Sequence, residues 1–318
     1  MQVADHPQRI AARFTAAGSR ARRTSSANRR TKLLPWLLMA PTAISVIAVI
    51  GYPLVQTVWL SLHEGQGLMT GEWVGLGNYV EMFTTPATQA AFVRTLVLTA
   101  VTVGGAMLIA FLTALVLNSG LPGMRLLTVL VVLPWAMPRV SAAILWKWAF
   151  DSQYGLVNWV LVALGMDQFE GFSWFSTGPS ALVVVSVAII WAKVPFLAIA
   201  LLAALRSVPG DLVEAARLDG ANAFQTLVRI KLPIMRPVVM VLLILATIQA
   251  FQAFDHIFVM TVPPGGPNHS TEIISLLTYL EAFAFLDGGM GSALALLSFV
   301  VLALITYVYV RAQREELR

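Results

Sequence analysis

Three long stretches of this chain, residues 33–63, 95–124 and 288–310, contain no Asp, Glu, Lys or Arg. Runs of that length leave few options, because a helix that crosses a bilayer needs about 20 mostly apolar residues. Over all 318 residues 58% are hydrophobic and only 12% charged, against roughly 25% charged in soluble domains. One soluble core cannot hide that much apolar surface, so much of it has to face lipid. Strands of a membrane barrel alternate over segments of about 10 residues, and these stretches do not. The chain is therefore expected to be an all-α membrane protein with six transmembrane helices, near 33–62, 92–118, 126–150, 180–205, 237–262 and 290–310.

The placement of Lys and Arg orients such a bundle. With the N-terminus inside, segments 1–32, 119–125, 206–236 and 311–318 face the cytoplasm and hold eight, one, five and three basic residues, 17 of the 21 in the chain. The outer loops 63–91, 151–179 and 263–289 hold none, and carry acids such as Glu64, Glu72, Asp167, Glu170, Glu272 and Asp287 instead. Both termini are expected in the cytoplasm of a multi-pass cell-membrane protein. The net charge of +5 then belongs to the side facing anionic inner-leaflet lipid. A nucleic-acid partner would need a soluble basic face, and none is expected. The absence of cysteine rules out a disulfide framework.

Residues 1–32 are rich in Arg, Ser and Ala and read as a basic cytoplasmic tail, disordered by composition. The apolar run after them exceeds the 7–15 residues of a signal-peptide core, so a cleaved leader is not expected. Residues 33–311 form the transmembrane domain, with the loop 206–236 inside it, and 312–318 a short cytoplasmic end. Pro41 and Pro53 should bend the first span, and Pro134 and Pro138 make the third irregular. In the second, Gly104, Gly105 and Ala106 allow close helix approach.

The longest polar interval between apolar runs on the basic side runs from Val208 to Pro237. It reads as two short helices. Asp211 and Glu214 have capping-box spacing for the first, and Gly220 suits a left-handed exit. Asn222 can cap the second with Gln225 at its third position, and Pro233 is expected to close it. Ala215 and Ala216 keep the first helix thin on one side. By helix signals alone this is any amphipathic loop lying on a membrane surface. The identities say more: Glu214-Ala215-Ala216, Asp219-Gly220-Ala221 and Ile230-Lys231-Leu232-Pro233 resemble the E-A-A…G…I-x-L-P signature of ABC-importer permeases. Further likenesses are Gly75-Leu76-Gly77-Asn78-Tyr79, Tyr154 to Asn158, Trp191 to Pro195, and Phe254-Asp255 with Gly265-Gly266-Pro267. Together they cover residues 33–311 and resemble the permease subunits of binding-protein-dependent sugar importers of the maltose-uptake type.

That resemblance implies a type I importer permease fold. It implies partners: a second homologous permease subunit, two ATP-binding cassette subunits that hold ATP and Mg, and an extracytoplasmic substrate-binding protein. Asp211, Glu214, Ala215, Ala216, Arg217, Asp219 and Gly220 would form the coupling helix that docks into the ATPase.

No nucleotide loop of the G-x-x-x-x-G-K-[ST] kind, no H-E-x-x-H and no Cys/His cluster occur, so neither enzymatic activity nor a bound cofactor or metal is expected of this chain. Polar groups inside spans are costly and usually face a cavity or one another. Gln249, Gln252 and His256, three and four residues apart, fall within about 60° on a helix. They are either a face of the substrate pathway or interhelical glue. Phe251 and Trp191, with Trp135 and Phe254, are available to stack on a sugar ring or to pack. Arg139 and Lys193 each need a carboxylate, carbonyls or water, and Asp255 is available to pair with either or to cap a helix end. If both cations faced one cavity, glycerol phosphate or another anionic solute would fit in place of a neutral sugar. A stand-alone secondary transporter and a regulatory membrane subunit are the remaining classes.

Overall fold

A computed structural model describes residues 27–66 and 69–315. The chain divides into two compact units, one ending at Gln56 and the other beginning at Thr57. In the first unit, α1 (Ala27–Val46) runs through Pro35 and Pro41. A π turn over Ile47–Gly51 follows, and then α2 (Tyr52–Leu60) begins. Most of the expected tail lies outside the described residues. Its last part is helical from Ala27, however, because Ala, Arg and Lys are good helix formers and extend an existing helix at little cost.

The second unit opens with a feature the all-α expectation missed. β1 (His63–Gln66) pairs antiparallel with β2 (Met69–Trp73), His63 opposite Trp73. The segment is glycine-rich and lacks a helical apolar period, and a cluster of Trp59, His63 and Trp73 rings, 4.6–6.1 Å between neighbouring centroids, holds its base. α3 (Gly77–Thr84) follows, then the long α4 (Pro86–Leu117).

Broken helices come next: α5 (Met124–Val132), a 3-10 turn (Leu133–Ala136), α6 (Arg139–Ala149) and α7 (Leu156–Ala163). The third expected span is not one rod. Its two halves, Met124–Ala136 and Arg139–Ala149, meet at 100°, because Pro134 and Pro138 remove two donors and bar continuous helix between them. The long α8 (Gly178–Arg206) leads to α9 (Gly210–Leu218) and α10 (Ala223–Thr226). A π turn over Leu227–Lys231 joins α10 to α11 (Leu232–Phe251), and α12 (Phe254–Met260), α13 (Ile274–Tyr279) and α14 (Gly288–Glu315) complete the chain. Among the described residues, five helices are long and apolar enough to cross a membrane, or six if the bent pair counts as one span.

The core is built around α4 against α8. Ala106, Ala110, Ala114 and Leu117 recur every three or four residues along α4 and are fully buried with Leu197, Ala198 and Leu201 of α8. That alanine face lets the two backbones approach closely. Gly105 belongs to it, since a methyl there would press on the tip of Ile190, whereas Gly104 faces open space. On the acidic side, Arg94 Nε donates to the Glu272 carbonyl at 2.7 Å, and the buried Glu272 carboxylate pairs with His269. Nearby, burial and then the charge of Asp287 hold the Glu281 carboxyl above its usual range.

Candidate functional site

Two places bear on function. The first is the loop after α8. Its helix α9 starts at Gly210 behind Pro209, so Asp211 sits in the first turn and the expected Asp211/Glu214 capping box does not form. Proline at the cap position offers no side-chain acceptor. Asp211 still places negative charge at the helix's positive end. The exit is as expected: Gly220 has φ +83°, and Gly220 N and Ala221 N bond back to the carbonyls of Arg217 and Ala216 at 3.1 and 2.9 Å. This is a Schellman closure. Asn222 and Gln225 form a reciprocal capping box, 2.8 and 3.0 Å. Pro233 does not end the second helix, which continues from Ala223 through the π turn to Phe251. Along α9, Asp211, Glu214, Ala215, Arg217 and Asp219 are exposed and Ala216 is buried, while Leu218 (90%) and, just beyond, Phe224 (72%) present apolar surface outward.

The second place is a partly open cavity of about 430 Å³ lined by the 3-10 turn, α6, α8, α11 and α12, within the range of small-molecule sites. Gln249, Gln252 and His256 all line it, though not as a stripe on one helix. The helix breaks after Phe251, with Gln252 at φ −99°, ψ 31° and Phe254 N bonded to the Gln252 carbonyl at 2.8 Å. His256 therefore reaches the cavity from α12, and its buried Nε2 has no hydrogen-bond partner.

Arg139 and Lys193 both border the cavity, as does Asp255. Arg139 and Asp255 approach to 3.8 Å, while Lys193 Nζ donates to the Ala246 carbonyl at 3.0 Å. Alanine at 246 leaves that carbonyl reachable from α8. Of the aromatics, Trp135 and Phe196 both line the cavity, their rings stacked with centroids 6.3 Å apart. Phe251 is buried in the core, Trp191 packs edge-on against Trp146, and Phe254 stacks on Phe258, all three outside the cavity lining. Phe196 was missed, although its position three residues past Lys193 sets both on one helical face.

The model of the binding-protein-dependent transport system inner membrane component family matches residues 106–317. The chain belongs to this family. The match takes in both the loop and the whole cavity lining. The diacetylchitobiose uptake system permease protein DasB of Streptomyces coelicolor is 37% identical over 299 residues, covering 92% of this chain and 90% of that one. The trehalose/maltose transport system permease protein MalF of Thermococcus litoralis is 35% identical over 292 residues, covering 92% and 97%. A chain of a bacterial alginate ABC transporter, solved with an alginate pentasaccharide-bound periplasmic protein, superposes with TM-score 0.80 over 92% of this chain and 98% of its own, at 21% identity. The fold is thus that of an ABC-importer permease chain. This inner membrane component is a multi-pass transport subunit, and the relatives are named as permeases rather than enzymes.

Proposed function

We propose that this permease subunit carries a sugar, a disaccharide or short oligosaccharide, inward by alternating access driven by partner ATPases. The observation that carries the reading is α9: a short helix with exposed polar and apolar side chains, set off by Pro209 and the Gly220 closure, on the basic side of the chain. It acts as the coupling helix. Glu214 and Arg217 face the ATPase cleft, and Ala215 and Ala216 allow close docking. Six spans with both termini in the cytoplasm follow from the Lys/Arg distribution. A second permease, two ATPases holding ATP and Mg, and an extracytoplasmic binding protein complete the transporter. Gln249, Gln252 and His256 form the polar wall of the pathway. The names of the two relatives, for diacetylchitobiose and for trehalose/maltose, support a sugar as the cargo.

A second reading draws on the cavity's charge. Arg139 and Lys193 face it against the single carboxylate of Asp255, which suits a solute carrying an acidic group. Co-purification in mild detergent, followed by ATPase assays with the binding protein, tests both readings. The expected result is recovery of two ATPases and a second permease, with turnover stimulated by a neutral sugar. Stimulation by an acidic solute alone would select the second reading, and transport by this chain without ATPases would overturn both.

A further inference from the structure

Two broken spans bring opposite charges together in the cavity wall. Arg139 opens α6 directly after the 100° bend, and Asp255 sits in the first turn of α12, directly after the break beyond Phe251. Among the described residues neither side chain makes a hydrogen bond, and each has the other as its ion-pair partner. Their separation of 3.8 Å exceeds the roughly 2.7–2.9 Å of a charge-assisted hydrogen bond, and the side chains stay 68% and 38% exposed. A pair this loose and open adds little stability. Nor do α6 and α12 depend on it: Ala143, Ile257 and Met260 are buried in one cluster, and Lys147 Nζ donates to the Val259 carbonyl at 3.3 Å. What the pair does fix is the charge that a solute meets. Apart from the imidazole of His256, the titratable groups lining the cavity are Arg139, Lys193 and Asp255. Lys193 is engaged by the Ala246 carbonyl, so Arg139 is the cation left open. Next to Asp255 in the chain, His256 is only 7% exposed and its Nε2 lacks a partner, an unmet hydrogen-bonding group beside the pair.

We infer that Asp255 sets the charge selectivity of the pathway. It occupies Arg139 when the solute is neutral, and it competes for that guanidinium with any acidic group the solute carries. The inference rests on reading the cavity as the solute pathway. With Asp255 made neutral, Arg139 offers its planar fork of donors to a carboxylate or sulfonate unopposed. The repulsion between Asp255 and the solute's own negative charge disappears with it.

The test is saturation-transfer difference NMR of the complete transporter in nanodiscs. Glucose and glucuronate serve as matched probes, a hydroxymethyl group against a carboxylate, and the quantity read is the ratio of glucuronate to glucose affinity. Asp255→Asn is expected to raise that ratio about fivefold, the scale of a partly exposed ion pair. Arg139→Gln/Asp255→Asn should return it to the wild-type value or below, and Asp167→Asn, an exposed charge outside the cavity, should not move it. A ratio still raised in the double variant overturns the assignment to this pair, and an equal rise in Asp167→Asn overturns it in favour of diffuse charge. Should Asp255→Asn fail to assemble, Arg139→Gln alone should lower the ratio, and an unchanged ratio overturns the proposal. Ala192→Trp, which fills the cavity from α8, separates the two levels of failure. Probe signals that persist in it, or that are absent in wild type, overturn the cavity as the pathway. Signals lost in it, with the ratio unchanged in Asp255→Asn, overturn the role of Asp255 alone.

Discussion

His256 lines the cavity with a buried Nε2 that has no hydrogen-bond partner among the described residues. Leaving a buried polar atom without a partner costs about 1–3 kcal/mol, and Nε2 is in that position. If the ring serves a passing solute rather than the fold, His256→Leu should leave the melting temperature of the assembled transporter unchanged or raise it. Ligand-stimulated ATPase should fall several-fold. A lower melting temperature with full stimulation would make the residue structural. The three- and four-residue spacing of Gln249, Gln252 and His256 was legible in the sequence, because polar residues among apolar ones stand out. The break after Phe251 was not. Gln252 and Ala253 are ordinary helix residues, and their departure from helix is imposed by packing. The same limit applies to Phe251 and Trp191, which lie outside the cavity lining: an aromatic residue's type does not say which side of a buried helix it occupies.

At the scale of elements, two wide turns deserve comparison. The π turn Ile47–Gly51 ends two residues before Pro53, and Leu227–Lys231 ends two residues before Pro233. A proline removes a donor and crowds the carbonyl four residues back. Widening the preceding turn to five-residue hydrogen bonds moves that carbonyl aside, and the helix continues. Pro233 read as a stop in the sequence because this compensation lies in neighbouring backbone geometry, which no residue type marks. Gly220, Asn222 and Gln225 were legible because each has a local stereochemical reason for its place. Gly220→Val should therefore disrupt the α9 exit, at a cost of about 1–2 kcal/mol for a left-handed non-glycine residue, and Gly220→Asn should be tolerated. In membrane vesicles the valine variant, like Glu214→Ala, is expected to insert normally and hydrolyse ATP while losing most substrate delivery. Unaltered uptake would count against α9 as the coupling element.

At the scale of the whole molecule, charge asymmetry carries the topology. With 17 of 21 basic residues assigned to one side and none to the outer loops, inversion would place a dense positive field on the wrong face. The absence of cysteine makes the check direct. A membrane-impermeant thiol reagent should label Gln168→Cys in intact cells and Ser119→Cys only after permeabilisation, and the reverse pattern would invert the bundle. The long apolar helices were legible from apolar length: five among the described residues, or six with the bent pair. The 100° bend in the third was not, since Pro134 and Pro138 announce a disturbance without fixing its angle. The hairpin at His63–Trp73 went unread because a short, glycine-rich strand pair gives little periodic signal.

The helix that leaves Asn222 runs through the wide turn and on to Phe251, about 40 Å at 1.5 Å per residue. Its far end is the wall from which Gln249 and Gln252 look inward. The segment next to α9 and the segment that bounds the cavity are thus one stiff member. With α9 as the proposed coupling helix, a displacement at the member's root would be carried to the break after Phe251, beside the cavity.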